Sequence, residues 1–476
     1  MIRLFLVLTA AAGLAGAAPR WMRVASEGFE VYTSAGEQPA RSVLSHLQQG
    51  RRVFRDFAPD GRGVPLPVRV YLFATESEFR PYRPADSTGA VFQSGPVRDI
   101  IALPYLGRES LRVAMHEFVH LVLSHTAPKL PRWLEEGTAE FYSTLEVTGA
   151  RVRVGGAIPA HLAALEFAGW LDAGRLARVE RDSPEYNERA KAGMFYAESW
   201  ALTHMLNLAP DYRERMPRFI EGLLDGRPPD QAFQAAFGRS MEAALTDLRG
   251  YAGQRRFRVV ELDAGPQPEE APVRVERIAG DDAERALSEL SIGAGHLEVA
   301  QKLYRKLARA KTESAETEGK LGLLALKLDR DADARSHLRR AIELASRDAE
   351  IHFEYAMLVR DSGGGRAEVA ENLRRAVTLN PNYAEAHFLL GLMASAGKRP
   401  LEALEHLKRA AEVLPRQSQF WHAVALAAHE AGEAAEARRA ARRARDAAAN
   451  PREIEMAEAA LRLVDEPPPQ PKNLLR

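Results

Sequence analysis

Apolar and polar positions along the chain keep two different rhythms. Early in the sequence, Phe29-Glu30-Val31-Tyr32-Thr33, Val68-Arg69-Val70-Tyr71-Leu72 and Asp99-Ile100-Ile101-Ala102-Leu103 are short β-rich runs separated by turn residues, which predicts strands of a small sheet. From Glu109 the period changes. Leu111, Met115, Val119 and Val122 recur at three- and four-residue steps, and Pro128 closes the segment beyond His125, which predicts a helix. Further helical patterns cover about 133–146, 158–173, 190–207, 211–225 and 240–255. Strands followed by helices give an α+β unit. The stretch from Asp263 to Pro272 then carries three prolines and a glycine in ten residues, a composition that disfavours helix and central strand alike. The main boundary is expected there, with 263–280 as a Pro-rich linker.

Beyond the linker the sequence becomes rich in Ala, Leu and Arg and repeats itself. Segments ending at Pro381 and Pro415 superpose 34 residues apart. Ala341, Ala376, Ala410 and Ala444 hold one phase, and Leu338, Leu373 and Leu407 hold the same phase three residues earlier. Gly322, Ala356, Gly391 and Ala425 mark a tight crossing in the first helix of each unit. This is the period of tetratricopeptide repeats, in which a helix pair buries its apolar face only by stacking on its neighbours. Five units are expected over 281–465, the first over about 281–314, with 452–465 as a capping helix and 466–476 as a Pro-rich tail.

Composition changes the picture in two places. The 476 residues contain no cysteine, which excludes disulfides, thiolate metal sites, a catalytic thiol and a lipobox anchor, so any metal must be held by His, Asp or Glu. Lys and Arg total 65 against 65 Asp and Glu, so there is no global nucleic-acid footprint. The arginine run from Arg438 to Arg445 is interleaved with alanines that offer bases no stacking surface, and no nucleic-acid partner is expected. The N-terminus has Arg3, an apolar run from Leu4 to Ala12 and the small-residue end Ala15-Gly16-Ala17, the pattern of a secretory signal over residues 1–17. The apolar part is shorter than the roughly 20 residues of a membrane span, so no stable span is expected after signal cleavage, and a periplasmic or secreted protein follows.

Chemistry concentrates in His116-Glu117-Phe118-Val119-His120. Residues four apart share a helix face, so both imidazoles can reach one ion. The helix is apolar on nearly every side, and polar groups buried there need a partner.

Downstream, Trp133-Leu134-Glu135-Glu136-Gly137-Thr138-Ala139-Glu140-Phe141-Tyr142 resembles the W-L-x-E-G-x-A-E-Y element of gluzincin zinc peptidases, and the region 18–262 resembles the bacterial peptidase-MA-like domains. The resemblance implies a zincin-like fold, one Zn²⁺, and Glu136 as the third ligand beside His116 and His120. Manganese, iron or cobalt would fit the same donors. Glu140, one turn beyond Glu136, is a candidate acceptor for the outward N–H of a ligand histidine, and Glu135 faces elsewhere. Met194-Phe195-Tyr196 to His204 resembles the helix that follows the zinc helices in these domains, with Tyr196 as the candidate oxyanion donor and His204 as a weaker alternative. In that mechanism zinc activates water, Glu117 accepts its proton and passes it to the leaving amine, and no nucleophilic serine is needed. The expectation is a zinc peptidase acting on a peptide or protein substrate. Endopeptidase action is favoured because no G-x-M-E-N-like stretch supplies an amine pocket, and the repeats are expected to recruit a protein partner. The alternative is an inactive peptidase-like scaffold that acts through its repeats.

Overall fold

The computed structural model describes residues 21–465, apart from 56–66, 84–88, 96–97, 127–129, 168, 181, 226, 255–256, 264–270, 295–296, 310–313 and 449. The expected signal over 1–17 and the tail over 466–476 lie outside the described residues.

Strands β1 (Met22–Ser26) and β2 (Phe29–Thr33) form a hairpin, followed by α1 (Glu37–Phe54), β3 (Val68–Phe73), the short α2 (Glu76–Phe79), β4 (Val91–Gln93) and β5 (Asp99–Pro104). They enter a six-stranded sheet of order β4-β5-β3-β2-β1-β9, in which β9 is Arg274–Arg277. β2, β3 and β5 run parallel, and β4 lies antiparallel on β5 at one edge. Alternation explains why both faces are dry. Val68, Val70, Leu72, Ile101 and Leu103 face α1 and the next helix, α3 (Glu109–Thr126). Tyr71, Phe73, Ile100 and Ala102 point the other way.

A second, helical body follows. It comprises α4 (Arg132–Ser143), α5 (Pro159–Phe167), α6 (Ala173–Ala177), α7 (Pro184–Asn187), α8 (Arg189–Leu208), α9 (Pro210–Arg213), α10 (Met216–Leu224), α11 (Pro229–Phe237) and α12 (Met241–Gly253). Strands β6 (Glu146–Thr148), β7 (Arg151–Val154) and β8 (Val260–Asp263) form a small antiparallel sheet beside it. The helix expected over 211–225 is two helices, because Pro217 lacks an N–H and falls in the first turn of α10, where a helix begins rather than continues.

The repeat half is a solenoid of helix pairs: α13 (Gly280–Ala294) with α14 (Leu297–Arg309), α15 (Ala315–Lys327) with α16 (Asp331–Glu343), α17 (Ala349–Asp361) with α18 (Arg366–Leu379), α19 (Ala384–Ala396) with α20 (Pro400–Val413), and α21 (Ser418–Glu430) with α22 (Ala434–Asp446), closed by α23 (Pro451–Asp465). The phased small residues meet the phased leucines. A Cβ on Gly322 would sit 2.5 Å from Leu338, and one on Gly391 2.5 Å from Leu407. First helices of neighbouring pairs touch, α13 on α15, α15 on α17 and α19 on α21, so they line one face of the array.

The described parts of the expected linker over 263–280 enter two sheets. Asp263 ends β8, and Arg274–Arg277 pairs with β1 in the register Met22↔Arg277 to Ala25↔Arg274. Val273-Arg-Val-Glu-Arg277 is too short to announce itself by pattern, and it joins the six-stranded sheet rather than the one that holds β8. The first repeat helix then closes the outer face of the sheet. Ala283, Ala286, Leu287 and Leu290 pack on Tyr71, Phe73, Ile100 and Ala102, and Tyr71 OH donates to Ala286 O at 2.6 Å. Arg69, the second residue of β3, pairs there with Glu289 of α13 and with Glu30 at 2.6 Å. Arg98 Nε stands 3.1 Å from Glu289. At the far end of the array, Arg416 donates to Leu123 O in the last turn of α3 at 3.1 Å. Among the described residues no helix is long and apolar enough to cross a membrane.

Candidate metal centre

Helices α3 and α4 pack on each other, and α4 in turn lies on α8. The second contact is very close, because a Cβ on Gly137 would lie 2.1 Å from Thr203 Oγ1 and 2.2 Å from Ser199 O. Only glycine allows α4 to approach the α8 backbone this way, and the neighbouring Glu136 is thereby held between the two helices. It is 1% exposed.

His116 Nε2 and His120 Nε2, one turn apart on α3, stand 3.0 Å from each other. Glu136 Oε2 lies 3.4 Å from the first and 3.2 Å from the second. Three donors bound at about 2.0–2.1 Å around a tetrahedral ion would be separated by roughly 3.3 Å, and the observed triangle has that size. Glu136 Oε2 is also buried without a hydrogen-bond partner among the described residues. A buried, unpartnered carboxylate oxygen facing two imidazole nitrogens is the chemistry of a divalent-cation site. His116, His120 and Glu136 are the group of described residues so arranged.

A second layer surrounds these donors. His116 Nδ1 is 3.3 Å from Glu140 Oε1, whose other oxygen takes Arg112 Nη1 at 2.7 Å and lies 3.2 Å from His161 Nε2. Tyr186 OH donates to Glu136 Oε1 at 3.0 Å. Glu135, expected to face away, is half-buried 4.0 Å from His120 Nδ1 and holds Arg132 at 2.6 Å. The reason is that α4 presents consecutive carboxylates to opposite sides of the same imidazole. Tyr186, His161 and Arg112 carry no sequence signal of their own; each is brought in by long-range packing.

Glu117 lies half-buried between the two histidines in sequence, on α3. Tyr196 on α8 is also half-buried, with its ring 6.3 Å from that of His116 and 6.0 Å from Tyr186. His204 belongs to the core instead. Its Nδ1 meets Tyr251 OH at 2.7 Å, its Nε2 meets Gly155 O and Arg258 O at 3.1 and 3.0 Å, and burial brings its pKa down to about 4. Both ring nitrogens are occupied, which leaves none for chemistry.

Burial raises the carboxyls of Glu136 and Glu140, and the neighbouring imidazoles more than reverse this, holding both below the ordinary carboxylate range. Burial lowers the His116 imidazolium, and Glu140 followed by Glu136 more than compensates, leaving it well above its ordinary value. Burial pushes the Glu117 carboxyl up against the pull of His116 and His120. The pocket therefore stores buried negative charge that a cation or a proton must neutralise.

The sequence matches no family model and no curated protein. Solved structures to which the chain is similar include MamA, at 22% identity over 35% of this chain and 91% of that one with a TM-score of 0.29. Another is YrrB, described as a TPR protein with an unusual peptide-binding site, at 17% identity over 37% and 91% with a TM-score of 0.31. PilF of Pseudomonas aeruginosa matches at 21% identity over 39% and 84%, with a TM-score of 0.33. The assignment of the C-terminal half as a repeat solenoid rests on its own helix pairs and their phased contacts.

Proposed function

We propose that this chain is a metal-dependent peptidase of the gluzincin type, with a zincin-like N-terminal unit and a repeat solenoid that recruits a protein. The observation that carries the reading is the convergence of His116 Nε2, His120 Nε2 and the unpartnered Glu136 Oε2 within 3.4 Å of one another. These three residues would hold the ion, with zinc favoured by the donor set. When bound, such an ion supplies a Lewis acid and a water of lowered pKa.

The chain's own residues do the rest. Glu117 takes the proton of the attacking water on its carboxylate and hands it to the leaving amine nitrogen. Glu140, itself fixed by Arg112 and His161, orients the His116 ring from its Nδ1 side. Tyr186 fixes Glu136, and Tyr196 offers its phenol to the developing oxyanion. The free edge of β4 is where an extended substrate would pair, and Gln93 on that strand stands 3.5 Å from Leu290 O of α13, where the solenoid begins. The signal-like N-terminal segment fits action in the periplasm or outside the cell.

The test is metal analysis and incubation with an unfolded protein, for the full chain and for Glu117→Gln. Cleavage by the first alone, with equal metal in both, supports the reading; equal cleavage by both removes Glu117 from the mechanism. A second reading, a scaffold that acts through its repeats without turnover, is favoured by one observation, the stacked helix pairs of the solenoid, whose phased contacts are made without the metal centre. Metal binding without cleavage by either chain would support it.

A further inference from the structure

The face of the solenoid lined by first helices carries carboxylates that the fold does not use. Glu350 and Glu354 stand one turn apart on α17, and Glu385 is the second residue of α19, the next first helix. All three are half-buried. Lys320 faces the same floor 3.7 Å from Asp348, but its one ammonium is shared among Glu289, Asp348 and Glu350, and among the described residues no cation serves Glu354 or Glu385. Like charges four apart on a helix weaken it, and half-buried carboxylates without partners weaken it further.

A second observation points the same way. Tyr383, at the start of α19, is 0% exposed, and its hydroxyl has no hydrogen-bond partner among the described residues. Its ring lies 4.7 Å from Phe353, which sits between Glu350 and Glu354 in α17. Glu385 Oε2 is likewise buried and unpartnered. Burial first, then Glu350, Glu354 and Glu385, push the Tyr383 phenol well above its ordinary range, and its contact with Phe353 sets the ring against the helix that carries Glu350 and Glu354. Burial raises Glu350 to about 7 against the pull of Lys320, and raises Glu354 and Glu385. A buried phenol is ordinarily given a partner, and one left without it beside a carboxylate floor fits a site whose partner comes from outside.

We propose that Glu350, Glu354, Glu385 and Tyr383 form the floor of a binding site for an extended polypeptide segment bearing lysine or arginine side chains. The inference rests on the recruiting role of the repeats but not on hydrolysis. An ammonium or guanidinium group entering between the carboxylates supplies the counter-charge they lack and completes the hydrogen bonding of Tyr383. A bare divalent ion is disfavoured, because among the described residues the carboxylate oxygens and imidazole nitrogens that converge closely enough for one belong to the His116 centre.

The test uses the full chain and a fluorescein-labelled dodecapeptide of alternating lysine and glycine, with its lysine-acetylated counterpart as control. Fluorescence anisotropy should give salt-dependent binding of the first and not the second. In E350Q/E354Q/E385Q the affinity should fall by about tenfold or more while the melting temperature holds or rises, since like-charge repulsion is removed. Tyr383→Phe should weaken binding by about threefold without loss of stability, because its hydroxyl makes no bond in the free protein. Should the triple variant not fold, E385Q alone should weaken binding by about threefold. Reduced, carboxymethylated lactalbumin serves as a second probe. If the triple variant binds both probes as the wild type does, the floor is not the site, and the proposal falls while recruitment stands. If the wild type binds neither, recruitment falls with it.

Discussion

Glu289→Gln tests how the two halves are joined. Glu289 is 9% exposed, pairs with Arg69 and stands 3.1 Å from Arg98, while Tyr71 OH lies 3.4 Å from its Oε2. Burial raises its carboxyl, and Arg69, Lys320 and Arg98 more than reverse this, bringing its pKa to about 2 from an ordinary 4.5. At about 1.4 kcal/mol per unit, this difference corresponds to about 3 kcal/mol of stability at neutral pH. Because the folded pKa is the lower one, that stability is complete above about 4.5 and is lost as pH falls from there towards 2. Removing one partner of a buried pair costs about 3–5 kcal/mol. Here the lower end is expected, because Arg69 keeps Glu30 at 2.6 Å. Urea unfolding followed by circular dichroism should therefore show a loss of about 3 kcal/mol at pH 7 that shrinks towards zero near pH 2. A loss below about 1 kcal/mol at pH 7, or one unchanged at pH 3, would refute a structural role for this charge.

The fragment 21–262 lacks β9 and α13 and leaves Tyr71, Phe73, Ile100 and Arg69 uncovered, so it should show no cooperative melting transition by near-ultraviolet circular dichroism. Gly137→Ala gains about 1 kcal/mol of helix propensity but drives a methyl into Ser199 O and Thr203, so calorimetry should show net destabilisation and dialysis should show weakened metal retention. Glu136→Ala and His116→Ala should each lose bound metal by elemental analysis, whereas Tyr186→Phe should keep it with affinity reduced by about tenfold or more. Equal retention by Glu136→Ala would remove Glu136 from the ligand set.

Local periodicity encodes the elements and the repeat. The alternation of Val68, Val70 and Leu72 predicts β3, and the 34-residue phase of Ala376 and Ala410 predicts the stacked pairs, because each rule acts between residues close in the chain or repeated at fixed spacing. The four-residue spacing of His116 and His120 shows a shared helix face for the same reason, while Glu136 came forward only through its resemblance to a known element. Tertiary structure decided what stands opposite. Arg69 stands between Val68 and Val70 in β3, and α13, contributed from more than 200 residues away, buries it against Glu289 and makes the sheet two-sided. Tyr186 reaches Glu136 across 50 residues, and His161 and Arg112 reach Glu140 from separate elements. Such pairings depend on how α4 sits on α8 and α13 on the sheet, and no pattern confined to one segment carries that information, because a side chain's partner is set by packing between surfaces that meet only once the chain has folded.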